Sequence, residues 1–151
     1  PLLPLSSAFD QRRNAYVDHL LDVSRNGNWT AWLRFFLESV IMGADEALGL
    51  ITALDDLRTS MHLEVQSARS SALLMELVDS LFERPATTIG AATALLGVTA
   101  ASASANISKL VQAGILKEIT GRTRDRIYIA HRILDVMSDR SASAARTDAI
   151  R

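Results

Sequence analysis

The chain has 151 residues, of which 48% are hydrophobic, 22% charged and 5% aromatic, with a formal net charge of -1; that is enough apolar material for a core and excludes a disordered chain. It contains no cysteine and only three histidines, which excludes disulfide scaffolds, thiol nucleophiles and cysteine-ligated zinc, and no metal or other cofactor is expected. No apolar run approaches the roughly 18–20 residues of a membrane helix and no signal peptide stands out, so a soluble, cytoplasmic protein is the expectation.

The length fits one domain or two small ones sharing an interface. Because it begins with Pro1 and not Met, the chain reads as a piece of something longer. Residues 1–8 read as an extended lead-in, since each Pro disfavours helix at the residue before it. Ser6 or Ser7 is the expected cap of a first helix running to about Ser24, with Phe9, Tyr16, Leu20 and Val23 near one face. Asn26-Gly27-Asn28 stops it, and helix resumes near Trp29 with Trp32, Leu33, Phe36, Leu37, Val40 and Ile41 as a broad apolar stripe. From Ala47 the spacing becomes Ala47, Leu50, Leu54, Leu57 and Met61. That is a heptad seam of about two repeats, read either as intramolecular packing or as the face of a homodimer. A further helix covers about Ser67–Glu83, turns Leu73, Leu74, Leu77, Val78, Leu81 and Phe82 inward, and ends at Pro85.

Beyond Pro85 the punctuation is dense. Thr87-Thr88-Ile89 is a short β-like segment or helix start, and Ala91–Leu96 a short helix. Gly97 lies in the turn, Val98 plugs it, and Thr99 caps a helix over about Ala100–Ala113 with Ala103, Ile107, Leu110 and Val111 inward. Gly114 sits where a left-handed terminator belongs. Ile115–Ile119 and Arg126–Ile129 read as strands joined by the loop 121–125, and His131–Asp139 as a last short helix. The fold class is therefore mainly α: a helical segment over 1–66, then a winged helix-turn-helix over 67–139 with a small two- or three-stranded hairpin wing, then a flexible tail over 140–151.

The charge is unevenly placed. Residues 1–84 hold seven Arg and no Lys against twelve acids, a net of -5; residues 85–137 carry +3 and the tail +1. A mildly basic helix-turn-helix suits double-stranded DNA. Base contacts rely on Arg, Lys, Asn and Gln, and the stretch 101–109 offers Ser102, Ser104, Asn106 and Lys109 for the major groove, with neither Arg nor Gln. Arg122, Arg124 and Arg126 recur at every second position, so an extended wing would put them on one face toward the phosphates, with Asp125 opposite. Four phosphates neutralised by these three and Lys109 correspond to a salt slope of about -3.6 per protomer.

Two blocks near the start carry a resemblance: Pro1-Leu2-Leu3-Pro4-Leu5-Ser6 with Phe9-Asp10, Arg12-Arg13 and Tyr16, and Gly27-Asn28-Trp29-Thr30-Ala31-Trp32 with Phe35-Phe36-Leu37-Glu38. Together with Leu81-Phe82-Glu83-Arg84-Pro85, Leu96-Gly97-Val98, Gly114-Ile115-Leu116 and Gly121-Arg122, they make residues 1–137 resemble the C-terminal region of Fic-family proteins. The resemblance implies the end of a Fic domain followed by a winged helix, in a bacterial, AMP-transferring family. The family's active-site motif, His-Pro-Phe-x-x-Gly-Asn-Gly-Arg, is missing: none of His19, His62 or His131 precedes Pro-Phe, and Asn26-Gly27-Asn28 is a turn. No AMP transfer is expected of this chain, although a full-length parent would be a candidate enzyme. Ala101 also departs from the family, where many relatives have Pro.

The main expectation is a DNA-binding, transcription-regulator-like module. The alternative is a protein–protein, dimerisation or regulatory module that does not meet DNA, favoured by the Ala/Ser face of 101–108 and the Ala47–Met61 seam. Trp29, Trp32, Phe35 and Phe36 at helical spacing read as core rather than a stacking platform. Asp45-Glu46 and Asp55-Asp56 diverge by about 100° on a helix and read as solvated faces rather than metal ligands.

Overall fold

The computed structural model describes residues 5–66 and 72–146, with side chains to 138; residues 1–4, 67–71 and 147–151 lie outside the described residues, and of the expected extended lead-in 1–8 the residues from Leu5 on are helical instead. The fold is mainly helical with one small antiparallel sheet. It divides into two compact units, Pro1–Thr52 with Asp139–Arg151, and Ala53–Ser138.

The first unit contains α1 (Leu5–Gln11), α2 (Arg13–Asn26) and the start of α3 (Trp29–Gln66). The single first helix expected from the sequence is broken at Arg12, whose φ of -117° and ψ of 32° leave the helical region. Arg12 is drawn away by its side chain: the guanidinium lies 4.5 Å from the Phe35 ring centroid and 3.2 Å from Glu38. Ser6 and Ser7 lie inside α1 and cap nothing; Ser7 accepts a hydrogen bond from Gln11. Gly27, in the left-handed region, ends α2, and the Asn28 side chain accepts the Ala31 amide at the start of α3. The unit is held by rings: Phe9 lies 5.3, 6.2 and 6.0 Å from Tyr16, Phe35 and Phe36, and Tyr16 packs edge-on at 5.5 Å from Trp32. Trp29 departs from the expected core role; at the first position of α3 it is 61% exposed.

The change of spacing at Ala47 is a change of buried face and not a break, because α3 continues without interruption to Gln66. In the second unit α3 contributes Met61 and Val65 to the core, with Leu54 and Leu57 packed against it. Of the two readings of the Ala47–Met61 seam, intramolecular packing holds for its C-terminal half, Leu54, Leu57 and Met61.

The rest of the second unit follows as α4 (Ala72–Glu83), β1 (Ala86–Thr87), α5 (Ile89–Leu96), α6 (Ala100–Gln112), β2 (Lys117–Glu118), β3 (Tyr128–Ile129) and the start of α7 (His131–Arg146), whose residues from Asp139 on fall in the first unit. Leu74, Leu77, Val78 and Leu81 of α4 are buried among Ala92, Leu96, Ala103, Ile107, Leu110, Ile115, Leu116 and Ile133. The sheet order is β1-β3-β2, with Thr87 and Glu118 both opposite Tyr128. The Ala130 amide donates to the Pro85 carbonyl at 2.8 Å and extends the pairing. Three ion pairs join the helices: Arg58 and His62 both reach Asp79 on α4, at 2.7 and 2.8 Å, and Arg132 on α7 grips Glu64 on α3 at 2.8 Å. The supposed tail starting at residue 140 is instead helical as far as Arg146, since 140–146 contain good helix formers and neither Gly nor Pro to stop them.

Candidate nucleic-acid interface

The site grows from three residues of turn. Gly97 has a φ of 62°, a conformation that a side chain disfavours, and lets α5 and α6 meet at a bend of 110°. That lies within the range of helix-turn-helix units. Val98 packs on the core beneath the turn, and the Thr99 side chain accepts the Ser102 amide at 3.3 Å, capping α6. Ala92 and Ala103 are fully buried, and their methyl groups are the side chains that allow the two helices to pack closely. At the far end Gly114, with a φ of 70°, reverses the chain. The Ile115 and Leu116 amides then bond to the Leu110 carbonyl, and their side chains drop into the core. No single helix among the described residues is long and apolar enough to cross a membrane.

The structure divides the predicted groove residues. Lys109 is exposed, whereas Ser102 and Ser104 are half-buried. Asn106 is corrected outright: it is 6% exposed and shares the inward stripe with Ala103, Ile107 and Leu110. One turn after Ala103 and one before Leu110, its side chain packs largely against the core, so little of it is offered to a base edge. Val111, expected inward, is 38% exposed in exchange. The outward face of α6 is Ala101, Ala105, Ser108, Lys109 and Gln112. Gln112 is not among the expected groove residues, yet its i, i+4, i+7, i+11 spacing from Ala101 places it on this face.

The wing also differs from expectation. Its strands are two residues each, not four or five, leaving a loop from Ile119 to Ile127 closed by the Ile119 amide bonding to the Ile127 carbonyl at 3.1 Å. Arg122, Arg124 and Arg126 are all exposed, but the loop is bent and not extended, with Gly121 at a φ of 62° and Asp125 at 52°. The period-two argument for a single arginine face therefore does not hold. The Arg126 Nε instead donates to the Arg122 carbonyl at 2.7 Å, fixing the tip. At the root the Glu118 carboxylate accepts the Thr120 amide at 2.7 Å, the Gly121 amide at 2.8 Å and the Thr120 hydroxyl. These bonds, led by the Thr120 hydroxyl and helped by the charge of Arg126, hold the Glu118 carboxyl below its ordinary range. Among the described residues Lys109, Arg122, Arg124 and Arg126 form no ion pair within 4 Å, whereas Arg132 is committed to Glu64. Lys117, exposed on β2, adds a fifth cation to this end of the unit.

Among the described residues no group of three His, Asp or Glu side chains is arranged to hold a metal ion. His62 bonds to Asp79, and His19 lies 4.9 Å from the Phe35 ring; both serve packing.

No protein-family model matches the chain, and no curated protein matches it. Among solved structures it is similar to NadR in complex with 4-hydroxyphenylacetate, with 17% identity, over 68% of this chain and 76% of that one, at a TM-score of 0.38.

Proposed function

We propose that the second unit is a DNA-binding winged helix-turn-helix of the transcription-regulator kind. The observation that carries the reading is the wing: three exposed arginines with no ion pair among the described residues, on a loop whose shape is fixed at root and tip, beside an α5–α6 pair bent by 110°. In this reading α6 enters the major groove with Ser108, Lys109 and Gln112 forward and Ser102 and Ser104 at the margin, and the wing arginines hold the backbone. Alanine methyls at 101 and 105 suit thymine methyl contacts. Asn106, mostly buried, contributes little to readout. Such a face gives little base discrimination by itself, so the phosphate contacts supply most of the affinity.

The resemblance to the C-terminal region of Fic-family proteins extends this proposal: the first unit stands as the tail of a Fic-type domain and the winged helix as its appended module. The residues supporting it are those of the two N-terminal blocks, and the missing His-Pro-Phe-x-x-Gly-Asn-Gly-Arg motif assigns no nucleotidyl transfer to the chain itself. Incubation with labelled ATP and candidate acceptors gives no labelled protein on this account.

The experiment for DNA binding is fluorescence anisotropy on a mixed-sequence duplex of about 30 bp at low salt, where phosphate contacts are strongest. A saturable rise in anisotropy supports the proposal. A flat titration sinks it and leaves the alternative, a protein-binding module, which the Ala/Ser face of α6 favours.

A further inference from the structure

Among the described side chains, the first unit buries one side of α3. Phe35 and Ser39 are buried and Trp32 and Phe36 half-buried on that side, against the aromatic residues of α1 and α2. The opposite side carries Leu33, Leu37, Ile41, Leu48 and Ile51, exposed by 54, 59, 61, 61 and 59%. At about 100° per residue these five and Ala44 fall within an arc of about 80°. From Leu37 on, the steps to Ile41, Ala44, Leu48 and Ile51 are four, three, four and three. That is a two-repeat heptad seam, offset from the one read in the sequence, and no charged residue interrupts it.

We infer that this stripe is a homodimer interface, its occupant the same stripe on a second copy of the chain. Five aliphatic side chains, each exposing on the order of 100 Å², give roughly 500 Å² per copy. A two-fold pairing therefore removes about 1,000 Å² of apolar surface before any polar rim is counted, the scale at which a specific interface is sustained. One copy alone leaves a patch near the upper end of what monomers expose. The stripe is self-complementary in kind: aliphatic knobs flank a small residue, Ala44, at which two helices approach, and a two-fold axis presents the same patch from both sides. It has no charged group with which to select a polar partner. The inference stands independently of the DNA-binding reading.

The test is sedimentation velocity across a concentration series on the full chain, with circular dichroism as the check on folding. Wild type is expected to pass from monomer to dimer. Ile41→Glu and Leu48→Glu are expected to raise the dimer dissociation constant on the order of a hundredfold or more with unchanged helicity, because each places two charges in one apolar seam. If either Glu variant loses helicity, Ile41→Gln and Leu48→Gln replace it. A wild type that stays monomeric at the highest concentration, or a dimer that all four substitutions leave intact, overturns the inference.

Discussion

The two units solve the same problem of burying apolar surface in different ways. The second unit closes: α4, α5, α6, the strands and α7 surround an aliphatic core in which Leu77, Val78, Leu81, Ala103 and Leu110 have no exposure, and ion pairs tie α3 to both α4 and α7. The first unit stays open. Its rings cluster on one side of α3, with Ala8, Phe35 and Ser39 buried, and Val17, Leu20, Leu21 and the five Leu and Ile residues of the outer stripe of α3 remain at least 40% exposed. Closure requires elements on every side of the core. Among the described side chains, two short helices cover one side of α3, and much of its other apolar side stays exposed.

The largest effect that separates the units is stability. Leu77→Ala in the closed core is expected to cost about 2–5 kcal/mol, because the surrounding helices cannot collapse into the cavity. Leu21→Ala, in the first unit and 43% exposed, is expected to cost less, about 1 kcal/mol or below. Urea unfolding of both variants checks the contrast; equal losses would mean that the second unit has no closed core.

A smaller effect follows from the ion pairs. Hydrogen bonds from Arg132 hold the Glu64 carboxyl below its ordinary range, and those from Arg58 do the same for Asp79. A carboxyl depressed in the folded state adds stability above its unfolded value and loses it as pH falls through its folded one. Stability is thus expected to be level between about pH 7 and pH 5 and to decline below about pH 4. Both carboxylates are over a third exposed, so solvent screening limits the pair to about 1 kcal/mol. Thermal melts across pH for wild type and the Glu64→Gln, Asp79→Asn double variant give the check. The double variant should lose less stability on acidification than wild type does.

Of comparable size is the cap of α6. Thr99→Ala removes the acceptor for the Ser102 amide and is expected to cost about 1 kcal/mol. Thr99→Ser should keep most of it. Denaturant midpoints for the two substitutions distinguish a cap from a packing role, for which Ser would do no better than Ala.

How far sequence reasoning reached follows the same division. From Leu73 to Leu110 most inward positions, and the Thr99 cap, the Gly97 turn and the Gly114 reversal, stand where spacing placed them, because each Gly, Pro or Thr acts on its immediate neighbours, while Val111 does not. Local rules do not rank two faces of one helix. Asn106 was assigned to the groove by its residue type, while its position one turn after Ala103 assigned it to the core. The Leu54–Met61 seam is real as a pattern, but only the folded unit shows that its own core already takes it. The wing arginines were found as residues and misjudged as geometry, since positive φ at Gly121 and Asp125 bends the loop out of the pleat that alternation assumed. Residues 140–146 were read as tail because Ser and Arg look like solvent; their helical propensity was the better guide.

The central claim is that the wing arginines meet phosphate, and the salt dependence of DNA binding tests it most directly. Anisotropy titrations from low to moderate salt, with wild type beside the Arg122→Ala, Arg124→Ala, Arg126→Ala triple variant, give the slope of log affinity against log salt. The account predicts about -3.6 for wild type and about -0.9 for the triple variant, with weaker binding to every sequence tried. Equal slopes and equal affinities would contradict it.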